Sequence, residues 1–372
     1  MIKKQQLLFV TDGIFPHAIG GMQRHSALLL EALAKTNELE IIVIHPHDKD
    51  VFPKELGIEE IRIPFSFEGF YVRKCYEYSR LTAEYIRKYP EALVYGQGFS
   101  VWSGLEEFGK RVIINPHGLE PYQSLGFMEK LKTFPMRRIE HFQFKHAAKI
   151  VSLGGLLTRI IKEELGGSEK KIVILPNAVN PGEKPVRTFD KDHLQLLFVG
   201  RFAFNKGINI LMEAVKQLNN EGYKNRLEFN LVGKGPLFEQ YTKEYAFENV
   251  NFLGFADDDK LTQLYRDNDL FVFPTRFEGM PTVVLEGMAA AMPIIVSETG
   301  ATGELVNTEN GFLIEKNNVR ALKWAIQSFY QLKPEERKAM SDASYERVCA
   351  NFTWKRVARL HLDLFHTFRA GR

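Results

Sequence analysis

The chain has 372 residues, too many for one hydrophobic core and enough for two domains of about 150 residues or slightly more. Hydrophobic residues make up 45% and charged residues 26%, a globular balance that excludes a disordered or fibrous protein. Lys+Arg 49 against Asp+Glu 46 leave a formal net charge of +3, which excludes a dedicated nucleic-acid coat and makes any basic function local.

Along the chain, short apolar runs alternate with turn residues and helical patterns. In the first half the runs are LLFVTD (7–12), EIIVIHP (40–46), ALVYGQG (92–98), RVIINPHG (111–118), KIVSLG (149–154) and KIVILPN (171–177). In the second they are LQLLFVG (194–200), LEFNLVG (227–233), NVNFLGF (249–255), DLFVFPT (269–275) and MPIIVSETG (292–300). Runs apolar on both faces, separated by amphipathic helices, predict parallel sheets buried on both sides and right-handed crossovers. The expected fold class is α/β, with two Rossmann-like doubly wound domains facing a central cleft. Residues 180–193, with Pro181, Gly182, Pro185 and mixed charges, read as the interdomain linker. The expected domains are therefore 1–182 and 193–353. Helices are predicted near 318–331, from Pro334 to about 349, and over 354–369, the last extending to the chain end at 372 and packing back on the first domain.

Ligands of open α/β sheets sit beyond the carboxyl ends of the strands, so the residues following each run matter most. After the first run come Asp12, Gly13 and GGMQRH (20–25), where Gly20 and Gly21 open a helix. This is either an anion cradle or a flexible helix start. The pattern is not GxGxxG, and no acid closes the second run, so a dinucleotide fingerprint is lacking. His117 and Gly118 follow RVIIN, a position open to a catalytic or a structural histidine. Arg201 follows LLFVG, and Lys206 stands beside Gly207 at a helix start; two cations there suit a diphosphate. LVGKGP adds Gly233, where backbone can approach a flat base. The densest segment follows LFVFPT: Arg276, Phe277, Glu278, Gly279, Met280, Pro281, Thr282, then a helix containing Glu286. Carboxylates suit sugar and ribose hydroxyls, which are hydrogen-bond donors.

Taken in order, GGMQRH, NPHG, LPNAVN, VGR with Lys206-Gly207, VGKGP and FPTRFEGMPTVVLEGMAAAMPIIVS resemble the GT-B glycosyltransferases of family 4, the retaining nucleotide-sugar enzymes of glycosyltransferase group 1. The resemblance spans nearly the whole chain and is strongest over 195–305. It implies that Gly20 and Gly21 bring amides to the donor phosphates and that His117 contacts the transferred sugar. It also implies that Arg201 and Lys206 neutralise the diphosphate leaving group. Glu278, with the loop Gly279, Met280, Pro281 and Thr282 and the N–H groups of its non-proline residues, would hold the sugar; Gly233 and Glu286 would bind the nucleoside. Gln23 and Arg24 are assigned to the acceptor. Two departures, Gly287 and Met292, are expected in packing positions.

Preorganised cations and amides stabilise charge developing on a leaving diphosphate, so no metal and no cofactor beyond the donor substrate are expected. The DxD-like strings Asp48–Asp50, Asp190–Asp192, Asp257–Asp259 and Asp267–Asp269 are too frequent to be specific; Asp257 reads as a helix cap. The acceptor is expected to be a glycan or lipid-linked, in cell-surface polysaccharide or glycolipid synthesis. Residues 130–149 hold six Lys/Arg against Glu140 alone, interleaved with Phe134, Phe142 and Phe144. They suit an anionic membrane surface or form a solvated helix face. No nucleic-acid partner is expected. Cys75 and Cys349 lie far apart, without metal-ligand spacing. Leu7–Val10 is too short for a signal sequence, and no run approaches the ~20 apolar residues of a membrane span. A cytoplasmic enzyme, peripheral at the membrane at most, is the expectation. Competing readings are a nucleotide-sugar epimerase, a non-catalytic nucleotide-sugar binder and, for want of the glycine fingerprint least favoured, a nicotinamide oxidoreductase.

Overall fold

The structure, a computed structural model, describes residues 4–123 and 126–370. The chain forms two compact units. One runs through Asn177 and takes back the chain from Trp354; the other is Ala178–Thr353.

The first unit holds a parallel seven-stranded sheet: β1 Gln5–Val10, β2 Leu39–His45, β3 Glu59–Arg62, β4 Leu93–Gln97, β5 Val112–Asn115, β6 Lys149–Ser152 and β7 Ile172–Ile174. Their order is β3-β2-β1-β4-β5-β6-β7. Val10 lies opposite both Ile44 of β2 and Gly96 of β4, so β1 is central. Leu7, Leu8, Phe9 and Val10 have no exposed surface, as strands covered by helices on both faces require. The last helix, Trp354–Ala370, belongs to this unit: Tyr95 Oη lies 3.0 Å from His361 Nε2, and Gln5 Nε2 donates to the Phe365 carbonyl at 3.1 Å.

The second unit holds a parallel six-stranded sheet: β8 Leu194–Val199, β9 Leu227–Val232, β10 Val250–Gly254, β11 Leu270–Phe273, β12 Ile294–Ser297 and β13 Gly311–Ile314. The order is β10-β9-β8-β11-β12-β13. Each sheet thus has one topological switch point, between β1 and β4 and between β8 and β11, and the crevice beyond those carboxyl ends is where such sheets take ligands.

Three features depart from the expectation. Strands β3 and β13 lie outside the predicted runs. Glu59–Arg62 is a partly exposed edge strand that mixes charge with one isoleucine, and Gly311–Ile314 is only four residues long. The 180–193 segment is not a free linker but is packed within the second unit. There the Arg187 guanidinium is buried, donating to the carbonyls of Tyr265, Asn268 and Ala290, and Phe189 is buried beside Phe329. One arginine bonding three carbonyls at the carboxyl ends of two helices, Asp258–Asp267 and Thr282–Ala289, holds the segment down, which apolar periodicity could not reveal.

Candidate active site

In the first unit the chain leaves β1 at Thr11, whose carbonyl accepts from Tyr78 Oη at 2.8 Å. Asp12 follows, and then Gly20–Gly21 start the helix Gly21–Ala34. No side chain caps this helix and its first turn carries no acid, so its leading N–H groups remain available. A Cβ at Gly21 would meet nothing within 4 Å, so the glycine there is not imposed by packing. Beyond β1 and β4 lies a cavity of about 530 Å³ lined by Asp12, Gly21, Gln23, Tyr71, His117 and Glu140, among others. Of the residues assigned from the sequence, it gathers Gly21, Gln23 and His117. It does not gather Arg24, whose guanidinium sits 5.3 Å from the Phe15 ring.

His117 has φ 61, a left-handed conformation uncommon for a side-chain-bearing residue, with its N–H bonded to Asn115 Oδ1 at 3.1 Å. Its Nε2 meets Gln97 Oε1. Burial lowers its pKa to about 3, so the ring is neutral at physiological pH. With Nε2–H donating to Gln97, Nδ1 carries the free lone pair. Burial raises the Asp12 carboxyl to about 6, against the weaker opposing effect of Gln23 Nε2 at 3.4 Å.

The sequence reading missed Glu140 as a cavity residue. The helix Phe127–His146 presents Thr133, Met136, Glu140 and Gln143 to the cavity at helical spacing, while Met128, Leu131 and Phe134 are 55–62% exposed. The basic stretch is correspondingly split. Lys130, Lys132, Arg138 and Lys145 face outward, but Arg137 pairs with Glu164 at 3.2 Å and lies 4.4 Å from the Tyr122 ring. Glu140 does not offset surface charge, being only 4% exposed.

In the second unit Lys206 ends a short 3-10 turn, Phe204–Lys206, that leads to the helix Ile208–Leu218. Its Nζ lies 2.5 Å from Glu278 Oε1, which also accepts from Thr275 Oγ1 at 3.1 Å. The side chains are 25% and 12% exposed, so the pair is shielded without being sealed. Arg201, beyond β8, is exposed and its side chain makes no ion pair or hydrogen bond among the described residues. Arg201, Lys206 and Glu278 thus all follow the two strands of the switch point.

Arg276 has a different role. It is 4% exposed, lies 3.6 Å from the Phe204 ring centroid and bonds the Phe204 carbonyl and Asn209 Oδ1. It clamps the Lys206 turn to the Glu278 loop. Gly279, Met280 and Pro281 lead into the helix Thr282–Ala289. On that helix Glu286 Oε2 accepts from Tyr265 Oη at 2.9 Å, so buried Tyr265 orients it. Gly300, with φ +51, is required: a Cβ would come 2.1 Å from the Glu278 carbonyl oxygen and 2.4 Å from that of Gly279. Gly233, with φ +130, is likewise explained inside the unit, since a Cβ would come 1.9 Å from the Gly200 carbonyl oxygen. Gly287 packs against Phe271 and Ile294, and Met292 is fully buried, both packing positions. Asp257 caps the helix Asp258–Asp267 by accepting from Lys260 N–H at 2.8 Å. Among the described residues no group of three His, Cys, Asp or Glu is placed to hold a metal ion.

Two family profiles tile the chain: Glycosyltransferase Family 4 over residues 19–183 and Glycosyl transferases group 1 over 180–347. The chain belongs to the family 4, group 1 glycosyltransferases. An uncharacterized glycosyltransferase of Methanocaldococcus jannaschii is 30% identical over 205 residues, 54% of this chain and 55% of that protein. A glycogen synthase of Mycobacterium tuberculosis is 22% identical over 68% of this chain and 63% of its own length. The chain thus spans between about half and two-thirds of the length of these curated relatives. Among solved structures, the sucrose-phosphate synthase of Thermosynechococcus elongatus superposes with a TM-score of 0.83 at 22% identity, covering 99% of this chain and 100% of that one. WaaG, a glycosyltransferase involved in lipopolysaccharide biosynthesis, gives 0.74 at 18% identity over 96% and 99%. These likenesses establish the GT-B fold. Among the described residues, no helix of this glycosyltransferase is long and apolar enough to cross a membrane.

Proposed function

We propose that the chain transfers a hexose-type sugar from a nucleotide-diphosphate sugar to a glycan or lipid-linked acceptor, with retention of configuration and without a metal. The observation that carries this reading is the Lys206–Glu278 pair at the switch point of the second sheet, with exposed Arg201 following β8, one of that switch point's two strands. As the anomeric C–O bond breaks, its electron pair passes to the diphosphate oxygen. Lys206 and Arg201 stabilise that charge, more in the transition state than in the ground state. Glu278 holds Lys206 in place and accepts from the sugar, to which the amide N–H groups of Gly279, Met280 and Thr282 donate. Glu286 binds ribose hydroxyls. Gly20, Gly21 and His117 are read as donor contacts supplied by the first unit.

Relatives named for colanic acid biosynthesis in Escherichia coli and capsular polysaccharide biosynthesis in Staphylococcus aureus support a place in cell-surface polysaccharide synthesis. A neighbour of like fold, HepE of Anabaena, has been solved with UDP and glucose, which supports a nucleotide-sugar donor. The outward face of Phe127–His146, with Met128, Leu131 and Phe134 among Lys130, Lys132 and Arg138, is read as a contact for an anionic membrane surface.

A screen of UDP-, GDP- and ADP-sugars for acceptor-independent hydrolysis and for protection against melting tests the reading, run with and without EDTA. Hydrolysis that persists in EDTA is expected. Conversion of the donor to an epimer would favour an epimerase, binding without turnover a non-catalytic binder. Activity restored only by manganese or magnesium would overturn the metal-independent step.

A further inference from the structure

A line of buried hydrogen bonds runs from the last helix of the chain to His117. His361 Nδ1 lies 2.8 Å from the Val357 carbonyl, which only accepts, so Nδ1 carries the ring proton and Nε2 the lone pair. Burial lowers the His361 pKa to about 4, so the ring is neutral at physiological pH. Tyr95 Oη, 3.0 Å away, therefore donates to His361 Nε2, and it accepts in turn from Asn115 Nδ2 at 3.3 Å. That leaves Asn115 Oδ1 turned toward the His117 N–H, which donates to it at 3.1 Å. Tyr95, Asn115 and His361 are all buried.

At its far end the line meets a residue in an unfavourable conformation. His117 has φ 61, and its two anchors are Asn115 for the N–H and Gln97 for ring Nε2. Gln97 and Asn115 lie opposite each other in register on β4 and β5. A left-handed backbone is costly for a residue with a side chain and persists only where the surroundings hold it. His25, the last residue of GGMQRH, adds a wedge. Its ring stands edge-on to His117 at 5.1 Å and 5.3 Å from Trp354, the first residue of the last helix. His25 is buried and its ring nitrogens make no hydrogen bond among the described residues, so its contribution there is packing.

The fold alone does not require polar groups here, because apolar side chains of the same shape bury at less cost than a tyrosine, a histidine and an asparagine. What the polar line supplies is direction. Without the His361 lone pair, the Tyr95 proton would turn to Asn115 Oδ1, the other acceptor in the line. The amide would flip, and Nδ2 would face the His117 N–H, donor against donor. We propose that Tyr95 and His361 are positioning residues: through Asn115 they fix His117 in its left-handed conformation, so that the helix Trp354–Ala370 sets the orientation of the active-site histidine. The assignment rests on the reading of His117 as a donor contact and extends it to residues with no exposed surface.

The test uses the full chain and two readouts. One is kcat and KM for nucleotide-sugar hydrolysis. The other is the long-range proton–nitrogen correlation spectrum of the histidine-labelled chain, in which the His117 ring signals are identified by their loss in His117→Asn. His361→Leu should lower kcat about tenfold with the donor KM within about threefold, and should move the His117 ring from a single Nε2–H tautomer toward a mixture. His361→Gln, which keeps an acceptor near the Nε2 position, should stay within about threefold of the wild type. Tyr95→Phe removes the hydroxyl that drives the flip, so it should lower kcat only about threefold, with a smaller change in the ring signals. The combination Tyr95→Phe/His361→Leu should then be no worse than Tyr95→Phe alone. A merely structural role predicts the opposite, a double variant worse than either single one. Additive losses, or His117 ring signals unchanged in both single variants, would overturn the positioning. If His361→Leu does not fold, unchanged ring signals in Tyr95→Phe overturn it by themselves. If the wild type turns over no nucleotide sugar, the transferase reading fails, and the ring signals still decide the positioning.

Discussion

Replacing Lys206 by alanine removes a cation whose Nζ is fixed 2.5 Å from Glu278 Oε1. Two effects follow, and they are separable. The first is catalytic. Loss of one preorganised stabiliser of developing charge costs about 10²–10³ in turnover, or about 2.7–4 kcal/mol of barrier. The second is structural. Glu278 keeps its bond from Thr275 at 3.1 Å but loses its shielded ionic partner, which costs about 1–3 kcal/mol of stability in the second unit. Arg201 provides the internal contrast, because its exposed side chain makes no ion pair or hydrogen bond among the described residues. Arg201→Ala should change stability by less than about 0.5 kcal/mol. Its effect on turnover should be smaller than that of Lys206→Ala, about 10–10²-fold, since ordering a long side chain consumes about 0.5–1.5 kcal/mol of what it gains. The assay is kcat/KM for nucleotide-sugar turnover beside urea melts of each variant, with Lys206→Ala/Glu278→Gln completing a cycle. The expected coupling is about 0.5–3 kcal/mol, because Glu278 without its lysine adds negative charge beside the diphosphate. Near-normal turnover in both single variants would refute the leaving-group assignment. Strictly additive effects would refute the functional pairing.

Three further outcomes are expected. Tyr265→Phe, which removes the 2.9 Å bond to Glu286, should raise the donor KM about three- to tenfold with little change in kcat, measured by steady-state kinetics. Gly300→Ala should destabilise the second unit by about 1–3 kcal/mol in urea melts and lower turnover, because its Cβ would drive into the Glu278 and Gly279 carbonyls; wild-type stability would refute the close-approach argument. The protein should co-sediment with anionic vesicles at low salt and not with neutral ones. Changing Lys130, Lys132 and Arg138 to Glu should abolish this, whereas Arg137 is a poor probe because it pairs with Glu164. Failure of the wild type to bind anionic vesicles would leave that helix face merely solvated.

The sequence alone determined the α/β class, eleven of the strand runs and the loop positions of Arg201, Lys206, Glu278 and His117. The physical reason is that parallel strands buried on both faces must be written as continuous apolar runs, and that function in such sheets sits directly after them. The exceptions have the same origin. Glu59–Arg62 is an edge strand with little buried face, so it leaves no such run, and Gly311–Ile314 is too short to stand out. Tertiary structure decided everything that depends on which way a side chain turns within a helix or loop. Glu140 reads as one acid in a basic surface stretch, yet helical spacing carries it into a cavity beside Gln143. Arg276 and Glu278 are two residues apart, but one is a buried clamp and the other holds Lys206. Arg187 lies in a segment with the composition of a linker, and the three carbonyls gathered around it from the ends of two helices, with Phe189 buried beside Phe329, make that segment part of a packed unit. Such partners are distant in sequence, so no local pattern encodes them.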